Sequence, residues 1–200
     1  MDKKLSTAPF SFAAIVGGAM APLLFAIAIF ADGYWTFDVN SLSDLGISYN
    51  ETAAMIFNLT CIFAGICMAV FGLGKLIIKK KLDAVSGFFM CISGVLLILI
   101  GLITKDTLDL HLIIAVGFFA TFALAIITGV ISDFSNRRYI VTAIGIVLIV
   151  IILAACIGFT IMGTEVICVL CICDWAIIQG LALSFSNDYN EEPDDRAVIA

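Results

Sequence analysis

The chain has 200 residues, of which 62% are hydrophobic and 13% are charged. Soluble domains are about 45–50% apolar and about 25% charged, and a small domain cannot hide so much apolar surface from water. The composition therefore excludes a soluble globular protein, and the net charge of -6 matters mainly through where the charges fall.

Six apolar runs predict an all-α integral membrane protein with a bundle of six transmembrane helices. A hydrocarbon core of about 30 Å needs roughly 20 helical residues, and in lipid each backbone donor must be paired within its own segment. The first run exceeds the core of a signal peptide, so we expect it to be retained. The predicted spans are residues 10–31, 52–74, 84–104, 110–131, 139–162 and 166–186.

The basic residues predict the orientation of the helices, because positive charge stays on the cytoplasmic side. Lys105 is the only basic residue in the odd-numbered connections. The N-terminal segment and the even-numbered connections carry Lys3, Lys4, Lys75, Lys79, Lys80, Lys81, Arg137 and Arg138. We therefore expect a multi-pass protein of the cell membrane with cytoplasmic N and C termini. Residues 1–186 are predicted to form a single transmembrane domain, and residues 187–200 a flexible acidic cytoplasmic tail.

Polar residues gather in the connections predicted to lie outside. The candidate site residues are Ser43, Asp44, Asp106, His111 and Glu165. His111 is the sole histidine, and as a general base it would be oriented by Asp106 or Asp44. Bland alternatives remain open: an interfacial histidine, a Glu165 that opens the sixth helix at the positive end of its dipole, and a serine that caps a short helix.

Two further polar residues lie within the predicted spans. Asn58 is about six residues into the second span, where an amide can hold helices together. Asp174 follows Glu165 by nine residues, which is about 14 Å along a helix and near mid-membrane. A carboxylate there is costly, so we expect Asp174 to be protonated or bonded to another helix.

The remaining patterns name no cofactor. All seven cysteines lie in apolar runs and are predicted to be free thiols. The outer carboxylates with His111 would suit a mixed oxygen and nitrogen metal site, although their spacing specifies no geometry. One histidine excludes a three-histidine zinc hydrolase. No basic patch suits nucleic acid, and small residues such as Gly94, Gly101, Gly158 and Gly163 predict close helix approach.

The assembled elements resemble the family called domain of unknown function 998, which comprises six-helix membrane proteins. The resemblance spans almost the whole chain. It rests on Ser43-Asp44-Leu45-Gly46, Phe57-Asn58 with Gly65, Asp106 with His111, and Glu165 followed by Trp175. It implies the six-helix topology and a polar cluster on the outer face, and it supplies no reaction.

Three functions compete on this sequence. The first is a cavity that opens to the outer leaflet and binds, or acts on, a lipid head group or another amphiphile. The second is a non-catalytic membrane scaffold or lipid-binding protein. The third is a small proton- or cation-coupled transporter that uses Asn58 and Asp174. The sequence favours neither an enzyme nor a non-enzyme, and the partners that it implies are membrane lipids.

Overall fold

The structure, a computed structural model, describes residues 7–77 and 81–185. Within these ranges it is all-helical, without strands, and six helices are long and apolar enough to span a membrane. The helices are α1 (Ala8–Asp32), α2 (Glu51–Ile77), α3 (Lys81–Leu102), α4 (Leu108–Ser135), α5 (Tyr139–Gly158) and α6 (Ile161–Phe185). The predicted fold class is therefore confirmed, and the predicted tail lies outside the described residues.

Two helix ends differ from the predicted spans in ways that matter for function. Lys75, which was assigned to a connection, lies inside α2 and is buried. Because α6 begins at Ile161, Glu165 is its fifth residue and does not open it. The turn before α6 is fixed by Thr160, whose backbone N–H donates to Asp38 Oδ1 at 2.8 Å.

The helices pack in chain order around a closed ring. Each of α1 to α5 packs against the next helix, and α6 returns to α1. The α2–α3 seam depends on glycine, because a Cβ at Gly65 would lie 2.6 Å from the Gly94 carbonyl oxygen. The expected close approach is confirmed at Gly94 and Gly101, whereas Gly158 faces open space.

One end of the bundle, here called the loop face, carries residues 33–50, 103–107 and 159–160. The first of these segments contains a short 3-10 helix, Leu42–Ile47, with Ser41 as its N-cap residue, which is one of the two serines that could cap such a helix. Asn58 on α2 donates from Nδ2 to the Gly46 carbonyl oxygen at 3.2 Å. The segment is thus fastened over the end of the ring. The opposite end, where α1 begins and α6 ends, is called the terminal face.

Candidate functional site

The ring of helices encloses a cavity of about 610 Å³. Ligand pockets in proteins measure roughly 300–1,000 Å³. Every helix contributes to its wall, which is apolar along most of its length, with Phe25, Phe57, Met68, Phe71, Met90, Leu97, Phe118, Phe122, Ile126, Ile152 and Ile172. The polar lining residues all lie toward the loop face: Ser41, Ser43, Lys105, His111, Thr164 and Glu165. The cavity is therefore amphipathic along its length.

Lys105 organises the polar end of the cavity. Its ammonium forms an ion pair with Asp44 and donates to Ser41 Oγ at 2.8 Å. The other carboxylate oxygen of Asp44 accepts the Ser41 backbone N–H at 2.8 Å, which completes the cap of the 3-10 helix. Burial raises the pKa of Asp44, but the hydrogen bonds from Lys105 and Ser41 outweigh it and hold the pKa below its ordinary value.

His111 has one ring nitrogen engaged and the other without a partner. Nδ1 lies 2.7 Å from the Ile103 carbonyl oxygen, which can only accept, so Nδ1 carries the proton. In the neutral ring, Nε2 then holds a lone pair. Nε2 is buried and has no hydrogen-bond partner among the described residues, and His111 lines the cavity. It is therefore suited to accept a hydrogen bond from a ligand or to act as a base.

Glu165 faces the start of the 3-10 helix across the polar end. Its carboxyl interacts with the backbone N–H groups of Leu42 and Ser43, and also with the charge of Lys105. Glu165 lies one turn inside α6, and from that position its side chain lines the cavity. A residue that only caps the helix from the connection would not have to contact the cavity. Carboxylate, imidazole and ammonium groups consequently line one small region.

The structure brings together some of the predicted site residues and separates others. Ser43, His111 and Glu165 line the cavity, and Asp44 is joined to them through Lys105. Asp106 is exposed and accepts from Thr104 Oγ1 at 3.1 Å, outside the cavity. Asp106 or Asp44 was expected to orient His111, but the ring is oriented by its hydrogen bond to the Ile103 carbonyl oxygen.

Three polar lining residues were missed in the sequence: Ser41, Lys105 and Thr164. The sequence suggests Ser41 or Ser43 only as the cap of a short helix, and Ser41 also lines the cavity. Lys105 was considered only for topology. The available signal was its position as the sole basic residue among the carboxylates of the odd-numbered connections, which favours an ion pair.

The two intramembrane polar residues have different surroundings from those expected. Asn58 holds the 3-10 helix, and it does not join two transmembrane helices. Asp174 is exposed on the outside of α6, and no hydrogen bond or ion pair to it is found within the described residues. The expected bond from Asp174 to another helix is therefore absent from the part of the chain that the structure describes.

The carboxylates and His111 do not converge as a metal site. Among residues 7–77 and 81–185, no group of three or more His, Cys, Asp or Glu side chains is placed to hold an ion. All seven cysteines are free thiols, as predicted.

A second polar cluster, missed in the sequence, lies beyond the apolar end of the cavity. Lys75 Nζ donates to Ser86 Oγ at 3.2 Å and to Gln179 Oε1 at 3.0 Å, and it lies 3.9 Å from Asp83. Gln179 Nε2 in turn donates to Asp133 at 2.6 Å.

Arg138 completes this ionic cluster. Its guanidinium lies 3.1 Å from Asp133 and 3.6 Å from Asp83. Within residues 7–77 and 81–185, two cations thus lie against two anions in this buried end of the bundle. Lys75 also lies 5.9 Å from the ring centroid of Phe71, a cavity-lining residue. The ionic cluster and the aromatic side chains therefore close the cavity toward the terminal face.

The fold and this site define a class: a multi-pass membrane protein whose six helices surround an amphipathic cavity. Residues 15–182 match the family described as protein of unknown function (DUF998), so the chain belongs to that family and the resemblance is confirmed. No curated protein and no solved structure matches the chain.

Proposed function

We propose that the chain binds an amphiphile, with the apolar part in the cavity and the head group at the loop face. The observation that carries the proposal is the confinement of every polar lining residue to one end of an otherwise apolar cavity. Apolar walls would favour burial of a hydrocarbon chain, and the few polar groups would fix its direction. The closed terminal end supports binding, since a conduit would need a path through the ionic cluster.

The polar end favours a head group with both donors and acceptors. His111 Nε2 and the Glu165 carboxyl accept hydrogen bonds, while the Lys105 ammonium donates them. Asp44 already neutralises much of the charge of Lys105. A head group with hydroxyl or amine donors therefore suits the site better than a strongly anionic one.

We further propose that the chain is a single transmembrane domain of the cell membrane, with the loop face outside and both termini cytoplasmic. The basic residues of the sequence support this orientation, because the loop-face connections contain only Lys105. A tag at either terminus should react with an impermeant reagent only after cells are opened. Labelling of intact cells at either terminus would contradict the orientation.

A matched pair of α6 variants tests amphiphile binding. Cys168 lines the cavity, whereas Leu170 is exposed and does not line it. Cys168→Phe should fill part of the cavity and weaken binding of a spin-labelled single-chain amphiphile in nanodiscs by about tenfold or more. Leu170→Phe should leave the affinity unchanged. Absence of binding to the wild type, or equal binding by both variants, contradicts the proposal.

Catalysis at the same site is a second candidate, favoured by the unpartnered Nε2 of His111. As a general base, this nitrogen would take a proton from water or from a hydroxyl of the bound head group. His111→Ala should then weaken binding only modestly, because the apolar walls remain, and lose turnover of an ester amphiphile, followed by mass spectrometry. Asp106→Asn, at an exposed position, is the control. Full turnover by His111→Ala would remove the catalytic role and leave binding intact.

The other functions have less support. Neither Asn58 nor Asp174, which motivated transport, lines the cavity. A scaffold without a ligand predicts that the wild type binds no amphiphile in the nanodisc experiment, so that measurement separates it from the proposed function.

A further inference from the structure

The cavity has a side that opens toward the lipid. On α4, Leu112 and Val116 line the cavity and are 58% and 60% exposed. At the start of α6, Ile161 and Met162 also line it and are 86% and 37% exposed. Residues that belong both to a cavity wall and to the outer surface mark the rim of an opening.

The packing of α4, α5 and α6 explains why the opening lies near the loop face. α4 meets α5 near the terminal face, where the rings of Phe134 and Tyr139 pack edge to face with centroids 5.9 Å apart. α5 meets α6 at the loop face, where Thr164 Oγ1 donates to the Ala155 carbonyl at 3.0 Å. α4 is therefore fastened to α5 in the half toward the terminal face, while its bonds in the other half, such as that between His111 and the Ile103 carbonyl oxygen, lie on the side of α3.

Contacts between α4 and α6 follow the same division. Phe122, at the middle of α4, packs edge-on against Trp175 at 5.6 Å, and Asp133 accepts from Gln179 toward the terminal face. Leu112 lies one turn into α4 from the loop face, next to His111. The opening is thus level with the polar end of the cavity, where a membrane protein meets the head groups of one leaflet.

The volume limits what can pass. At about 610 Å³, the cavity lies within the range of about 300–1,000 Å³ that is typical of pockets for one small ligand, so it suits one acyl chain better than the two chains of a common membrane lipid.

We infer that the occupant is a single-chain amphiphile that reaches the cavity sideways from the leaflet at the loop face, through the opening between α4 and the α5–α6 pair. The inference rests on the proposed function and adds the ligand class and the route. The acyl chain swings between Leu112 and Met162 while the head group stays near Lys105 and Glu165. The ligand therefore never leaves the interface during binding.

Two adjacent residues of α4 allow a matched test of the route. Leu112 lines the opening, whereas Ile113 is 69% exposed and does not line the cavity. Leu112→Trp should slow association of a spin-labelled lysophospholipid in nanodiscs by about tenfold, and Leu112→Ala should accelerate it. Ile113→Trp should keep the wild-type rate. Since both side chains face lipid or the rim, all three variants should fold.

A competition experiment tests the ligand class in the same nanodiscs. An unlabelled lysophospholipid should displace the spin-labelled probe, and a diacyl lipid with the same head group should not. Equal displacement by both lipids, or equal association rates for Leu112→Trp and Ile113→Trp, overturns the inference while binding itself stands. If wild-type protein binds no probe, the proposed function fails together with the inference.

Discussion

Removal of the Lys75 charge should destabilise the fold strongly, because it leaves an excess negative charge in the buried ionic cluster. Lys75 is 3% exposed and Asp83 is fully buried, with both carboxylate oxygens lacking a hydrogen-bond partner. At their separation of 3.9 Å, the attraction is about 4 kcal/mol for an effective dielectric constant of about 20. Lys75→Met should therefore lower the free energy of unfolding by about 3–5 kcal/mol.

The charge argument is separated from simple packing by a double-mutant cycle. Asp83→Asn in the Lys75→Met background leaves Arg138 and Asp133 as a balanced pair. The double variant should lose about 2–3 kcal/mol less than the sum of the two single variants. Unfolding is followed in detergent micelles, and the exposed Lys81 supplies the control, with Lys81→Met within about 0.5 kcal/mol of wild type. Additive single effects would refute the reasoning.

Three further predictions concern other parts of the bundle. Lys105→Met should lower the stability of the folded protein at neutral pH. Because the folded pKa of Asp44 is depressed, the stability advantage of the wild type over this variant is complete above the unfolded pKa of about 3.9 and disappears as the pH falls through the folded pKa. Melting curves of the two proteins across this pH range would measure the difference. Gly65→Val should destabilise by at least about 1–3 kcal/mol in the same unfolding assay, because its Cβ would lie 2.6 Å from the Gly94 carbonyl oxygen; a wild-type melt would contradict this packing. Asp174→Leu should improve membrane insertion by about 3 kcal/mol without changing amphiphile affinity, and a loss of affinity would show that the carboxyl acts in binding.

The helices were predictable because the bilayer imposes one rule on every span. Each predicted run overlaps an observed helix, and the differences are at the ends. Hydropathy carries no information about the turn at Thr160. That turn depends on a hydrogen bond that Thr160 donates to Asp38, which lies 122 positions away in the sequence. Because of this tertiary contact, α6 begins earlier than predicted. Glu165 therefore lies within α6 and lines the cavity, and it does not cap the helix.

The polar end of the cavity was predictable in kind but not in arrangement. Its residues could be assigned to one face from topology alone, and Ser43, His111 and Glu165 do line one cavity. Which carboxylate pairs with Lys105 depends on how the 3-10 helix folds over the bundle. Asp44 is drawn in by the cap that it shares with Ser41, whereas Asp106 bonds within its own turn and stays outside.

The ionic cluster shows where the sequence argument was incomplete. Charged residues beside the ends of apolar runs indicate topology, and the position of Lys75 in the sequence fits that interpretation as well as the positions of the other basic residues do. Its burial follows from partners on other helices, above all Gln179, which is 104 residues away. Spacing along a single helix therefore gives only a weak signal for the ionic cluster: Trp175 and Gln179 lie one turn apart on α6.

The two ends of the cavity together favour a binding protein over a conduit. A ligand that crossed from one face to the other would have to displace Phe71 and Phe122 and then separate Lys75 from Gln179 and Asp83. Each step would expose charged groups to hydrocarbon, where an unpaired charge costs several kcal/mol. At the loop face, by contrast, the wall is already open beside Leu112 and the polar groups line the end of the cavity. For the proposed amphiphile, the path of lower free-energy cost would therefore lead in and out through the leaflet at the loop face, and the ionic cluster would form the fixed base of the proposed binding cavity.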